Sequence, residues 1–158
     1  MEGTSDRTVL ELLARRLGRD LGSEGIEIAP IGGAQAIRRF VAELPAGTRV
    51  RGLCDENEAW LFHRVLDDVH VCIPDLEGEL IRALGVERVL EIVDTDAFAK
   101  MRRQPAHRET PVDVALHRWL RASSVRFHRY LPRLAEALDL EAIPQPLRDV
   151  LGNADQPG

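Results

Sequence analysis

Apolar residues recur at helical spacing at the start of this chain and in short strand-like runs thereafter. Val9, Leu10, Leu12, Leu13 and Leu17 mark one face of a helix that a cap at Ser5 would open. It runs to about Leu21, and Gly22 and Gly25 close it. Ile26-Glu27-Ile28-Ala29-Pro30-Ile31 alternates as a strand does. Gly32-Gly33 makes a turn, residues 34–44 predict the next helix, and Pro45-Ala46-Gly47 breaks it. A strand over 50–54, a helix over 58–66, a strand over 69–73 and a helix over 76–84, closed by Gly85, continue the series. Alternation of this kind predicts right-handed βαβ units and a parallel sheet. The series lacks a strand ahead of its first helix, because only Met1 precedes Glu2. The expectation is therefore a chain that natively begins upstream, or a sheet whose first strand is truncated.

Beyond Gly85 the pattern is helical throughout. Residues 86–93 and 96–103 predict short helices, the second stopped by Pro105. Residues 111–122 and 125–138 predict an αα-hairpin, with Pro111 suited to a first helical turn. Pro132 is expected to interrupt or kink the second arm. A last helix over 143–151 and a frayed tail over 153–158 complete the reading. The expected division is an α/β domain over 1–93, a helical extension over 94–152 and the tail.

Acidic residues gather where the chain leaves each predicted strand. Glu2 and Asp6 stand four residues apart at the start. Asp55-Glu56-Asn57-Glu58 follows the 50–54 strand, and Asp75-Leu76-Glu77-Gly78-Glu79 follows Pro74. In an open parallel sheet the carboxyl ends of the strands share one edge, where ligands bind. Carboxylates drawn together there repel and are hard to desolvate without a cation. A divalent metal is the simplest occupant, and Mg²⁺ takes one or two carboxylates together with waters and substrate phosphate. Asp55 is the prime ligand. Asn57 could ligate through its amide oxygen without adding charge, and Glu58 could replace it or simply start the helix. Plainer roles compete: Asp6 complements a helix N-terminus, and capping accounts for Asp75 with Glu77 or Glu79 nearby. Glu2 has no such alternative.

Composition narrows the field. The chain has 158 residues, 44% of them hydrophobic and 30% charged, which is too apolar for disorder and enough for one domain with a core. No apolar run is long enough to span a membrane, and no signal peptide opens the chain, so a cytoplasmic protein is expected. Cys54 and Cys72 lack metal or redox spacing and read as small buried hydrophobes in a reducing compartment. The net charge of −5 is unevenly spread: residues 1–100 carry 19 acids against 12 bases, whereas residues 101–133 carry 8 arginines against Glu109 and Asp113. An acidic pocket beside a basic segment suits a metal site acting on a polyanion, and a solvated helix face accounts for the segment nearly as well. Gly32-Gly33 lacks the lysine and spacing of a P-loop. No Gly-x-Ser-x-Gly elbow or His-Glu-x-x-His pair occurs, and Tyr130, the sole tyrosine, reads as a packing residue.

At Glu2 and Asp55-Glu56-Asn57 the chain resembles a TOPRIM domain, the metal-binding fold of topoisomerases, primases and several nucleases. That family's pattern is a glutamate after the first strand and Asp-x-Asp after the third. The fuller resemblance is to the TOPRIM half of OLD-family (overcoming lysogenization defect) ATP-dependent endonucleases. It rests on Glu2-Gly3-Thr4-Ser5-Asp6-Arg7, Ile31-Gly32-Gly33, Leu53-Cys54-Asp55 and Asp75-Leu76-Glu77-Gly78-Glu79-Leu80, over roughly residues 1–90. Arg103-Gln104-Pro105-Ala106 resembles that family's basic residue before proline.

The resemblance implies an α/β, Rossmann-like TOPRIM sheet with flanking helices, a truncated first strand and a C-terminal helical extension. It implies cleavage of DNA with Mg²⁺ or Mn²⁺, two ions in all. Glu2, Asp6 and Asp55 would carry one ion and Asp75 and Glu77 help carry the second, with Asn57 and Glu58 as further candidate ligands. Lys100 or Arg103 would stabilise charge on the scissile phosphate, leaving Glu2, Asp55, Lys100 and Arg103 as the catalytic set. Arg102, Arg103, Arg108, Arg118, Arg121 and Arg126 are the candidates to hold the DNA backbone. Asn57 stands where the family has its second aspartate, and no Walker motif supplies the ATPase half that precedes this domain in OLD proteins. Expected partners are therefore DNA, an ATPase domain or subunit supplied in trans, and a second copy in a homodimer, but no membrane. The alternative is a degenerate, non-catalytic TOPRIM module that binds DNA or a partner ATPase.

Overall fold

A computed structural model describes residues 3–152. Helix α1 spans Thr4–Arg16. Gly3 rather than Ser5 is its cap, and the Asp6 carboxylate accepts the Gly3 backbone N–H at 3.0 Å. Gly18, at φ 74°, turns the chain out of the helix, so α1 ends a turn earlier than Gly22 and Gly25 suggest. Met1, Glu2 and the strand expected before them lie outside the described residues, as does the tail over 153–158.

The alternating segment 26–31 does not become a strand. Pro30 has no N–H to donate, Ile26 remains exposed, and Ile28 instead packs against the core from a loop. A 3-10 turn over Ala34–Ala36 leads into α2 (Ile37–Glu43). Strand β1 (Gly52–Asp55) follows, then a 3-10 turn over Glu56–Glu58, α3 (Ala59–His63) and strand β2 (Val69–Cys72). The two strands are parallel, with Gly52 opposite Val69 and Asp55 opposite Cys72. Among the described residues they are the whole sheet. The fold is thus α/β, a parallel sheet flanked by helices.

Period-2 alternation sends neighbouring strand residues to opposite faces. Leu53 and Cys72 enter the larger core, whereas Cys54, Val69 and Val71 join a smaller one with Ala34, Ile37, Phe62 and Leu66. Both faces are covered, as a parallel sheet requires. Gly52 is where the smaller core presses closest: a Cβ there would stand 2.8 Å from the Phe62 ring.

The remaining elements are α4 (Leu76–Leu84), α5 (Val86–Ile92), α6 (Thr95–Arg102), α7 (Val112–Arg121), α8 (Ser124–Ala137) and α9 (Gln145–Leu151). α8 continues through Pro132. The lost backbone bond is offset by burial of Tyr130, Leu131, Leu134 and Ala135 on its inner face. Tyr130 is a packing residue, stacked beside Trp119, with its hydroxyl accepting the Asp94 N–H at 3.2 Å. α1 packs along α8, and Arg16 donates to the last carbonyls at the end of that helix, Ala135 at 2.8 Å and Leu138 at 2.6 Å. Arg19 does the same for Gly152 at 2.9 Å. The first helix and the C-terminal helices therefore share one core. No helix among the described residues is long and apolar enough to cross a membrane.

Candidate metal site at the carboxyl edge of the sheet

Because β1 and β2 run parallel, both release the chain at the same edge. Asp55 is the last residue of β1. β2 ends at Cys72, and Ile73 and a cis Pro74 carry the chain to Asp75, the cap of α4. Glu56 N–H donates to the Pro74 carbonyl at 3.0 Å and ties the two exits together. Glu79 fixes the second exit by accepting the Ile73 N–H at 2.9 Å, while Arg82 bridges Glu79 to the Ile73 carbonyl. Gly78 permits this turn, since a Cβ there would lie 2.6 Å from Pro74 Cδ.

Asp75 is buried and holds several partners at once. It accepts the Gly78 N–H at 2.9 Å, which is the expected cap. His117 Nε2 lies 2.8 Å from both of its carboxylate oxygens, and Arg121 Nη1 contacts its Oδ2. Arg121 also faces Asp55 Oδ2 and Glu77 Oε1, each at 3.9 Å. Its guanidinium thus sits where three carboxylates converge. His117 and Arg121 are four residues apart on α7, one above the other on the same face.

The charges in this group do not balance. Burial, then the neighbouring Asp75 and Asp6, push the Asp55 carboxyl up to about 7 despite Arg121. Burial and Asp75 likewise push Glu77 up to about 7. Burial acts upward on Asp75 as well, but the His117 hydrogen bond, the Gly78 N–H and the charges of His117 and Arg121 outweigh it and hold it below the ordinary range. The same hydrogen bond raises His117. Burial lowers the Arg121 pKa, and the charges of Glu77 and Asp75 more than reverse this. Two carboxyls held near neutrality beside an arginine mark a site still short of positive charge.

The donor chemistry fits Mg²⁺ or Mn²⁺, which take carboxylate oxygens. The spacing is that of a guanidinium: among the described residues no three His, Cys, Asp or Glu side chains are drawn together into a metal cage. Asp55, Asp75 and Glu77 would hold an ion here, with Asp6 close enough to act on Asp55. Glu58 also acts on Asp55 from the turn that follows β1. Asn57 is exposed on that turn, and Glu2 lies outside the described residues.

The other expected residues fall elsewhere. Lys100 is exposed on α6, and the cations acting on the three carboxylates are Arg121 and His117 rather than Lys100 or Arg103. Arg103 and Arg108 join Arg102 around a cavity of about 570 Å³ floored by Leu90, Phe98 and Ala99. Arg102 donates to the His107 and Thr110 carbonyls. Arg126 donates to the Trp119 carbonyl at 2.8 Å and stacks over its ring at 4.8 Å. Arg118 is exposed on α7. Cys54 and Cys72 are free and buried, and burial raises both thiols, Cys54 to about 11. His117 is the site residue that sequence reasoning passed over. Its signal was the i,i+4 pair with Arg121 on a helix otherwise patterned for the core.

Fold and site together define an α/β domain with carboxylates gathered at the outgoing ends of parallel strands. Residues 1–46 match the family model of the TOPRIM domain of overcoming lysogenization defect protein-like proteins. A TOPRIM match implies a metal-binding domain of the nuclease and primase type. No curated protein and no solved structure matches the chain.

Proposed function

We propose that this chain is a divalent-metal-dependent phosphodiesterase that cleaves DNA, of the OLD TOPRIM type, with its ATPase supplied by a separate domain or subunit. The observation that carries the reading is the convergence of Asp55, Asp75 and Glu77 on one cationic point at the sheet edge. A bound Mg²⁺ or Mn²⁺ would supply Lewis-acid activation of water and charge neutralisation at the phosphate. In this reading Asp55, with Glu2 and Asp6, would hold one ion, and Asp75 and Glu77 would help hold a second, while His117 and the α4 cap fix Asp75. The basic segment 101–133 supplies charge for a polyanion, with Arg103, Arg108 and Arg118 exposed and Arg121 engaged with the carboxylates. Lys100 or Arg103 is the proposed stabiliser of the scissile phosphate, acting from outside the carboxylate cluster that Arg121 and His117 face.

The test is nicking of supercoiled plasmid with Mg²⁺ or Mn²⁺ by wild type, Glu2→Ala and Asp55→Ala. Loss of nicking in both variants is expected, and equal nicking by all three would sink the metal assignment. One observation favours a second reading, a non-catalytic module that binds DNA or a partner ATPase: Asn57 replaces a carboxylate and is turned to solvent. That reading predicts DNA retention on a filter without nicking under any divalent ion.

A further inference from the structure

We propose that Arg121 is a built-in counter-ion that competes with the divalent metal, so that loading the site expels its guanidinium from between Asp55, Asp75 and Glu77. The inference rests on the metal-dependent reading above and adds its regulation. Arg121 Nη1 already touches Asp75 Oδ2 and stands 3.9 Å from Asp55 Oδ2, and Nε stands 3.9 Å from Glu77 Oε1. An ion of the Mg²⁺ class needs oxygens at about 2.1 Å, so an ion drawn in among these three carboxylates takes the space that the guanidinium now fills.

The residue is built to leave. Arg121 is the last residue of α7, and its side chain is 48% exposed. The face of α7 that anchors the helix is made by Ala115, Leu116, Trp119 and Leu120, none of which depends on the guanidinium. His117 stays on Asp75 when Arg121 swings out, so the cap of α4 and the turn after β2 keep a cationic partner.

The test is titration with Mn²⁺ by calorimetry and with Mg²⁺ by NMR on wild type, Arg121→Gln, Arg121→Lys and Arg39→Gln. The last removes the same net charge from an exposed pair on α2. Arg121→Gln is expected to bind Mn²⁺ about tenfold more tightly, as removal of one charge roughly 4 Å from the ligands requires in a partly screened site. Arg121→Lys and Arg39→Gln are expected to match wild type. In wild type the Arg121 Nε–H resonance is expected to shift as Mg²⁺ saturates the site, which decides the matter even if Arg121→Gln fails to fold. Equal or weaker binding by a folded Arg121→Gln, or an Arg121 signal unmoved at saturation, overturns the exchange and leaves the metal site standing. Absence of binding in both wild type and Arg121→Gln at millimolar Mn²⁺ overturns both.

Discussion

Replacing Asp55 by Asn should make the metal-free protein more stable at neutral and alkaline pH. Its carboxyl rises from an ordinary 3.8 to about 7 on folding, chiefly through burial and then through Asp75 and Asp6. A group raised in this way binds its proton more tightly in the folded state. The folded chain therefore takes up protons between about pH 4 and pH 7, and stability falls as pH rises through that window. Above it the ionised carboxylate opposes folding by up to about 4 kcal/mol, since each pKa unit is worth about 1.4 kcal/mol. The side chain is 29% exposed, and solvent reduces the effect to about 1–2 kcal/mol. Asn keeps the shape and removes the charge. Urea unfolding in EDTA is expected to place Asp55→Asn about 1–2 kcal/mol above wild type at pH 8 and level with it at pH 4, a shift of several degrees in Tm at most. An Asp55→Asn protein no more stable than wild type at pH 8 would refute the electrostatic account. The sign also separates the two roles of this residue, because a carboxylate retained against folding stability is one kept for binding.

Other perturbations probe the neighbouring groups. Glu77→Gln should behave like Asp55→Asn, raising stability above pH 7 and leaving it unchanged near pH 4, read by the same urea titrations. Asp75→Asn retains a cap but leaves His117 and Arg121 facing a neutral group, and Asp75→Ala also loses the cap. Melts should place the alanine variant about 1 kcal/mol below the asparagine variant, and equal values would remove the cap from the account. His117 has a raised pKa, so its contribution should be complete below about pH 6 and fade as pH rises through its folded value. In wild type, but not in His117→Gln, that loss should appear as an extra fall in stability on the alkaline side. Gly78→Ala forces a methyl against the Pro74 ring and should lower stability by about 1–3 kcal/mol by calorimetric melting; an unchanged melt would mean the turn after β2 can shift freely.

Most of the elements could be read from the chain because their causes are local. Helices α4 to α9 fall within a residue or two of their apolar periodicity, and the strands fall where short apolar runs meet an acidic turn. Segment 26–31 failed because alternation describes a side-chain pattern, whereas a strand needs a partner strand for its backbone groups; Pro30 removes one donor, and Ile26 N–H bonds back to the Leu21 carbonyl at 2.8 Å instead. Pro132 stayed within α8 because burial of the inner face outweighs one missing bond. Arg121 read as one of several arginines on a basic helical surface, and only its i,i+4 spacing from His117 sets it apart from Arg118.

The sequence by itself determined the two strands and the helices from α4 to α9, the two acidic exits at Asp55 and Asp75, and the basic character of residues 101–133, all of which follow from hydropathy, turn chemistry and charge along short stretches. Only the tertiary structure decided which charges meet. α7 lies against α4, so His117 and Arg121 reach across more than forty positions of chain to Asp75, while Arg103, just past α6, lines the cavity with Arg102 and Arg108. Coulomb energy depends on distance through space and on burial, and neither quantity exists until the helices have packed.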